Sequence, residues 1–399
     1  MSVTVRQTHL EVYIDGDYDA TAYAATCAFG FDQRYAEATV RRTGGGTVAI
    51  SYWSPIEIRM GTTPGEGAAT RFYGYVVPVD NQLYPVEGVL TCKGRLYRAA
   101  WVKNNRPGGT DFGNPGHPSP TYGGNADEAT VKAVLDACGV PYDEGDIGGT
   151  GKALGSVYLD LDGIERVMPG PFTWAEQQSG LDFIEQLDAV SVPDDASGRY
   201  RTHERLGGAV HRTKLATAPG GSADHSFTEG VDVLEARITR DPTGAANRVV
   251  VTGAPRPDAL DVAGGGLDVQ FSAEAHFTAA TSDAPYLPPG LPDGPEGFPT
   301  VTLAFASPLI EKSENGDDGD VLSCEAVAQF LLGEANCVLD TLDFATPRDD
   351  PVSPGQTVHL HSPRLGLTDG SRHYWVQRLE VSVDERGAFT QRVTALRRS

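Results

Sequence analysis

The loop Gly148-Gly149-Thr150-Gly151-Lys152 has the glycines and the lysine with which a phosphate loop cradles a polyphosphate. That motif also needs Gly five positions before its Gly-Lys pair and Ser or Thr after it, where this chain has Asp146 and Ala153. The loop therefore reads as a flexible connection. Asp160-Leu161-Asp162-Gly163 and Asn315-Gly316-Asp317-Asp318-Gly319-Asp320 resemble fragments of calcium loops, the second more than the first. Neither alternates ligands over a 12-residue loop with a closing Glu, so solvated acidic turns fit both. His359-Leu360-His361 puts two imidazoles on one side of an expected strand, and with His373 or an Asp they could ligate Zn²⁺. His-x-His is common on the polar face of an outer strand, and that is the reading taken.

Nucleophilic chemistry has no better support. There is no Gly-x-Ser-x-Gly, and His203-Glu204-Arg205-Leu206 lacks the second His of a zinc-protease helix. Cys27, Cys92, Cys138, Cys324 and Cys337 are scattered without a C-x-x-C, which suits buried thiols better than a metal ribbon or a disulfide framework. The 54 acidic residues offer no pair that stands out as acid and base. The expectation is a protein that is not an enzyme, with no catalytic residue, no cofactor and no metal ligand.

The elements that would have to position such groups are mostly strands. Gly (47) and Pro (27) are abundant, which favours short strands joined by many turns. A net charge of -22, spread along the chain, argues against a grip on nucleic acid by phosphate neutralisation. No stretch approaches the length of apolar sequence needed to cross a bilayer. The first residues lack the basic start and apolar centre of an export signal, so synthesis in the cytoplasm is expected.

Alternation marks Leu10, Val12 and Ile14, then Ile56, Ile58 and Met60, as inward faces of strands, with turns at Gly44-Gly45-Gly46 and Pro64-Gly65. Arg71 to Val76 carries Gly74 mid-strand, a sign of a bulge or of close backbone approach, and Gly88 to Gly94 is a fourth strand. After the core-poor stretch from Asn104 to Gly124, a helix is predicted with Asn125 as N-cap, Glu128 as its capping partner, Val131, Val134, Leu135 and Cys138 inward, and Gly139 with Pro141 as the stop. Other helices are predicted from Ser179 to about Ala189 and from Ser323 to about Ala335, the second with Val327, Phe330 and Leu331 inward. Phe227 to Gly253 reads as two strands joined by a type I turn at Asp241-Pro242-Thr243-Gly244, with Leu234, Ala236 and Ile238 inward and Val249-Val250-Val251 buried on both faces. The chain ends in a hairpin, Leu379, Val381 and Val383 facing Phe389 and Val393 across Asp384-Glu385-Arg386-Gly387.

Phe227-Thr228-Glu229-Gly230-Val231-Asp232-Val233-Leu234, Ile238-Thr239-Arg240-Asp241 and Asn247-Arg248-Val249-Val250-Val251-Thr252-Gly253 resemble a passage of the tail-tip (baseplate) hub proteins of long-tailed bacteriophages, a family related to the hub part of type VI secretion spikes. Phe172-Thr173-Trp174, Tyr200-Arg201-Thr202, Leu331-Leu332 shortly before Asn336, Pro354-Gly355-Gln356-Thr357-Val358, Leu365-Gly366-Leu367 and Tyr374-Trp375-Val376 are similar too, in the same order along the chain. No lysozyme or peptidase module is evident at either end.

The resemblance implies a mainly β fold with α/β insertions: two small tail-tube-like β-barrels plus inserted α/β modules, assembled as a trimeric ring. The expected division is residues 1–104 as a first barrel, 105–205 as an α/β module, 206–256 with 355–399 as a second barrel, and 257–354 as an inserted module with one helix. It further implies a structural virion protein at the tail tip, a hub trimer that closes the sixfold tail tube or adapts it to the threefold tip and passes DNA during ejection without specific binding. Its partners would be itself, the tail tube or distal tail protein, the tape-measure protein and other tip proteins or fibres. The alternatives are the hub of a bacterial contractile injection system and, from another class, a secreted carbohydrate-binding or hydrolytic β protein.

Overall fold

The computed structural model describes residues 8–43, 50–62, 68–82, 87–107, 109–111, 126–151, 157–159, 165–167, 173–193, 198–215, 222–241, 246–255, 270–276, 301–307, 310, 323–335, 339–370 and 372–398. Thirteen strands belong to one large sheet. Its first part holds β1 (His9–Ile14), β2 (Asp17–Tyr18), β3 (Ala22–Gly30), β4 (Glu37–Thr43), β5 (Pro55–Gly61), β6 (Ala69–Gln82) and β7 (Glu87–Gly94). The spatial order is β3-β4-β7-β6-β5-β1-β2, antiparallel throughout. Val12, Ile14, Ile56, Ile58 and Met60 are buried, as the period-two pattern requires. β1 comes back beside β3 without laddering to it, so the strands curl around a shared interior.

At Gly74 the backbone of β6 leaves no room for a side chain. A Cβ there would lie 2.2 Å from the Lys93 carbonyl oxygen and 2.8 Å from the Phe72 ring. Gly74→Ala is expected to lower stability by about 1–3 kcal/mol, the usual range for overpacking, in a urea titration of the whole chain.

The chain then leaves this sheet. It forms α1 (Leu96–Trp101), β8 (Thr110–Asp111), α2 (Asp127–Cys138), β9 (Val157–Leu159), β10 (Glu165–Val167), β11 (Thr173–Trp174), α3 (Gly180–Val190), β12 (Arg199–Glu204) and β13 (Val210–Leu215). The faces predicted for α2 and α3 are buried, and Ser179 Oγ accepts the Asp182 N–H at the start of α3. Gly139 ends α2 in the left-handed conformation (φ 64°), its N–H reaching the Asp136 and Leu135 carbonyls. The α2 start differs from prediction. Ala126 stands at the cap without a side-chain bond, Asn125 falls outside the described residues, and Glu128 Oε2 turns instead to the Gly151 N–H. The adjoining loop supplies a better partner than the helix's own cap.

The large sheet resumes with β14 (His225–Thr228) and β15 (Glu235–Asp241). β16 (Arg248–Pro255), β17 (Gln270–His276) and β18 (Thr302–Ala306) form a separate three-stranded sheet crossed by α4 (Cys324–Ala335). β19 (Leu339–Thr346), β20 (Thr357–His361), β21 (Tyr374–Val383) and β22 (Phe389–Arg398) return to the large sheet.

The strand pair expected within Phe227 to Gly253 does not form, and residues 242–245 at its turn lie outside the described set. β15 ladders with β19, whereas β16 ladders with β17 and β18. The two strands need different surroundings. β16 buries Val249 and Val251 completely on one face, against Val327 and Leu331 of α4, and takes the central place in its sheet; Val250 between them is only half-buried, so the run is not buried on both faces as expected. β15 is only half-buried at Ala236 and Ile238, and Leu234 just before it is 65% exposed, so it suits a sheet margin. β16 therefore does not join the C-terminal hairpin, and β19, inside the stretch expected to stand apart as 257–354, lies between β15 and β22. The C-terminal hairpin itself forms as expected, Leu379 opposite Val393 and Val383 opposite Phe389.

The second part of the large sheet runs β15-β19-β22-β21-β20-β14. Matching β1, β3, β4, β5, β6 and β7 in chain order to β14, β15, β19, β20, β21 and β22 turns one spatial order into the other. One pairing differs: β1 with β5 is antiparallel and β14 with β20 parallel. The repeat extends to single bonds. Trp53 N–H donates to Val76 O at 2.8 Å and Val76 N–H to Ser54 O at 2.9 Å; Gly355 N–H donates to Val376 O at 2.9 Å and Val376 N–H to Gln356 O at 2.8 Å. Trp53 (φ 69°) and Gly355 (φ 80°) are both left-handed, although only glycine takes that conformation without strain. The two parts join where the C-terminal half of β21, Arg378 to Val383, ladders antiparallel with β3, and a single apolar core runs through both.

Candidate functional site

The residues singled out for chemistry are held by structural bonds. Around the glycine loop, Thr150 donates through N–H and Oγ1 to Asp127 Oδ1, each at 2.8 Å, and Gly149 O accepts the Tyr200 hydroxyl at 2.6 Å. Lys152 lies outside the described residues. The N–H groups of Thr150 and Gly151 thus face carboxylates of α2, and that of Gly148 donates to Arg212 O. At the centre is Arg212 on β13, its side chain fully buried, with Nη1 2.7 Å from Asp127 Oδ2 and Nε 2.8 Å from Asp188 Oδ1. Nη1 also donates to Gly148 O at 2.9 Å, and the guanidinium lies 4.7 Å from the Tyr200 ring centre. Asp188 Oδ2 accepts the Thr202 N–H at 2.6 Å, which ties α3 to β12. Burial alone would raise the Asp127 pKa, but the Arg212 charge and the bonds to Asp127 hold it below the ordinary aspartate value.

His203 and Glu204 are buried next to each other on β12. Burial, with the Arg205 charge, pushes His203 down to about 3, and its ring meets Phe31 edge-on at 4.6 Å. The Glu204 carboxylate reaches out of the α/β module to the first sheet, accepting the Ala36 N–H at 2.6 Å and the Leu96 N–H. Burial pushes it up to about 7, although these donors and Arg95 favour its charged form. His359 and His373 meet at right angles with ring centres 6.0 Å apart, bonded to the Arg372 and Gly370 carbonyls respectively. Among the described residues no group of three or more His, Cys, Asp or Glu is arranged to hold a metal ion. Cys27, Cys92, Cys138 and Cys324 are free and buried, and burial pushes every one of these thiols up, Cys92 to about 12. Such thiols make poor nucleophiles. Cys337, Asp160 to Gly163 and Asn315 to Asp320 lie outside the described residues.

What the molecule presents to the outside is aromatic side chains, strand edges and one basic recess. Trp53 stacks on Tyr97 (5.5 Å, 25°) and meets Tyr75 and Trp101, with Trp101 63% and Tyr52 73% exposed. The outer edge of β15 has no ladder among the described residues. A cavity of about 320 Å³ opens where β12, β13, α4 and β21 approach one another, lined by Arg199, Arg201 and Arg397 with Glu334, Trp375 and Phe31. It concentrates positive charge in a chain of net charge -22.

Sequence reasoning missed the Arg212, Asp127 and Asp188 cluster because each residue sits alone in a separate element. A usable signal was the helical period: Asp127 and Asp188 fall on the inward faces of α2 and α3, where an unpaired charge is not tolerated.

No family model matches the sequence, and no curated protein matches it. Solved structures do. The 43 kDa tail protein of prophage MuSo2 from Shewanella oneidensis is similar over 98% of this chain and 98% of its own, at a TM-score of 0.59 and 10% identity. A tail protein from Neisseria meningitidis MC58 is similar over 98% of this chain and 96% of its own, at 0.54 and 9%. The prophage tail protein gp18 from Listeria monocytogenes EGD-e is similar over 97% of this chain and 94% of its own, at 0.51 and 8%. The chain has the fold of these prophage tail proteins across nearly its whole length.

Proposed function

We propose that this protein is a structural part of a bacteriophage tail tip, a hub that assembles as a homotrimer and works through its interfaces. The observation that carries this reading is the near end-to-end likeness to prophage tail proteins, over 98% of this chain and 98% and 96% of theirs. The internal repeat supports it independently. A chain built from two β units of one strand order can pack three copies as six similar units, which is how a threefold tip would meet a sixfold tube. Each unit would close as a small barrel, and the α/β module and the β16 to β18 sheet with α4 would be elaborations on that ring.

In this reading the partners are the tail tube or distal tail protein, the tape-measure protein and other tip proteins or fibres, and the protein is carried in the virion. DNA would pass through the ring without sequence-specific binding. Part of the net charge of -22 would line the opening, where like charge keeps a phosphate backbone from adhering. Class averages of electron images of the purified chain test the arrangement. Rings with threefold symmetry and an acidic central opening are expected; compact particles without an opening, or a basic lining, would exclude it.

A further inference from the structure

Resting on the trimer reading, we infer that the outer edge of β15 in one copy pairs antiparallel with the C-terminal half of β6 in the next. The argument starts from the join inside the chain. There β3 of the first unit ladders with β21 of the second, Phe29 opposite Leu379, Ala28 opposite Glu380, Cys27 opposite Val381 and Thr26 opposite Ser382. In the strand-by-strand match, β15 is the counterpart of β3 and β6 the counterpart of β21. The unit that supplies β21 to the internal join therefore presents, in β15, an edge of the kind that β3 uses. The unit that supplies β3 presents, in β6, an edge of the kind that β21 uses.

Both edges are open among the described residues. β15 ladders only with β19. β6 ladders with β5 only as far as Tyr75, while its other side stays paired to β7 out to Gln82. β21 behaves the same way: it ladders with β20 at Tyr374 and Trp375, and beyond that point the same side takes β3. An edge of seven residues with no second ladder among the described residues, such as that of β15, can take another strand.

The repeat also fixes the register. Val76 and Val376 make the same pair of backbone bonds, to Trp53 and Ser54 and to Gly355 and Gln356, which equates them. Their ladder partners then match outward, Cys92 with Ala395, Ala38 with Leu342 and Cys27 with Ile238. Carrying the internal join across gives Val79 opposite Arg240, Asp80 opposite Thr239, Asn81 opposite Ile238 and Gln82 opposite Arg237, with β6 from the neighbouring copy. The contact is head-to-tail, so a sixth of a turn at each junction, internal and external alike, closes the ring at three chains.

Cysteine cross-linking of the full chain tests the register, because directly opposed residues of an antiparallel pair bring Cβ atoms to about 4.5–5.5 Å. The double variants Asp80→Cys with Thr239→Cys, and Gln82→Cys with Arg237→Cys, are oxidised with diamide after near-UV circular dichroism has verified the fold. Covalent dimers and trimers on a non-reducing gel, absent from all four single variants, are expected from at least one pair. The pairing is overturned if the protein has the mass of three chains and neither pair cross-links. A single-chain mass at the same concentration would instead remove the trimer reading on which the pairing rests.

Discussion

Arg212→Met is expected to destabilise the chain by about 3–5 kcal/mol, the range for removing one partner of a buried ion cluster. The substitution keeps most of the side-chain volume, so the loss comes from charge. Asp127 and Asp188 would remain buried without their cation, and Gly148 O would lose a donor. Adding Asp127→Asn and Asp188→Asn to Arg212→Met should recover part of the loss, since the site tolerates neutral amides better than two anions left without their cation. Urea midpoints of the three proteins decide the matter. A loss under 1 kcal/mol for Arg212→Met would mean that the cluster does not organise the module. Acid should act on the same cluster. Asp127 titrates lower in the fold than in the unfolded chain, so its contribution is present above the ordinary aspartate range and is lost as pH falls through the folded value.

Glu204→Ala is expected to cost about 3 kcal/mol, because two buried N–H groups, those of Ala36 and Leu96, would lose their acceptor at roughly 1–3 kcal/mol each. Glu204 is also one of the bonds by which the α/β module holds the first sheet, beside those of Arg34 with Asp182 and Glu185, at a point so close that a Cβ on Gly94 would fall 2.0 Å from the carboxylate. Its pH dependence runs opposite to that of Asp127. Burial raises the folded pKa from 4.5 to about 7, so the folded chain holds this proton more tightly than the unfolded one. That contribution is complete below about pH 4.5 and disappears as pH rises through 7. Stability of the wild-type chain should therefore fall between these values, and Glu204→Gln, which cannot titrate, should flatten the profile there. A profile with the same slope in both proteins would show that Glu204 is not the group responsible.

Much of the local structure is legible in the sequence because local rules govern it. Val12 and Ile14, Ile56 to Met60 and the C-terminal hairpin show a clean period of two, and α3 announces itself with Ser179 and the spacing of Leu181, Ile184 and Leu187. α1 is not legible: Leu96 to Trp101 is six residues long and owes its place to Glu204 and to aromatic neighbours far away in sequence. Pairing is not legible either. Glu235 to Asp241 and Arg248 to Pro255 look like a hairpin locally, and only the cover that Val249 and Val251 take from α4 on one face separates them.

The repeat is hidden for a related reason. Ser51-Tyr52-Trp53-Ser54-Pro55-Ile56-Glu57-Ile58 and Ser353-Pro354-Gly355-Gln356-Thr357-Val358-His359-Leu360 share a first residue and two inward apolar positions, and little else. The geometry that they share is in the backbone. At the left-handed position one unit has glycine, and the other has a tryptophan supported by Val76 O and by stacking on Tyr97. At the position of Gly74, opposite Ile56, the second unit has Tyr374 opposite Val358, although in the first unit a Cβ there would strike the Lys93 carbonyl and the Phe72 ring.

The central claim is that this chain is built to assemble as three. Sedimentation equilibrium of the purified full-length protein at micromolar concentration measures this directly. A species three times the mass of the chain, unchanged over a tenfold dilution, is the expected result. A single-chain mass across that range would contradict it.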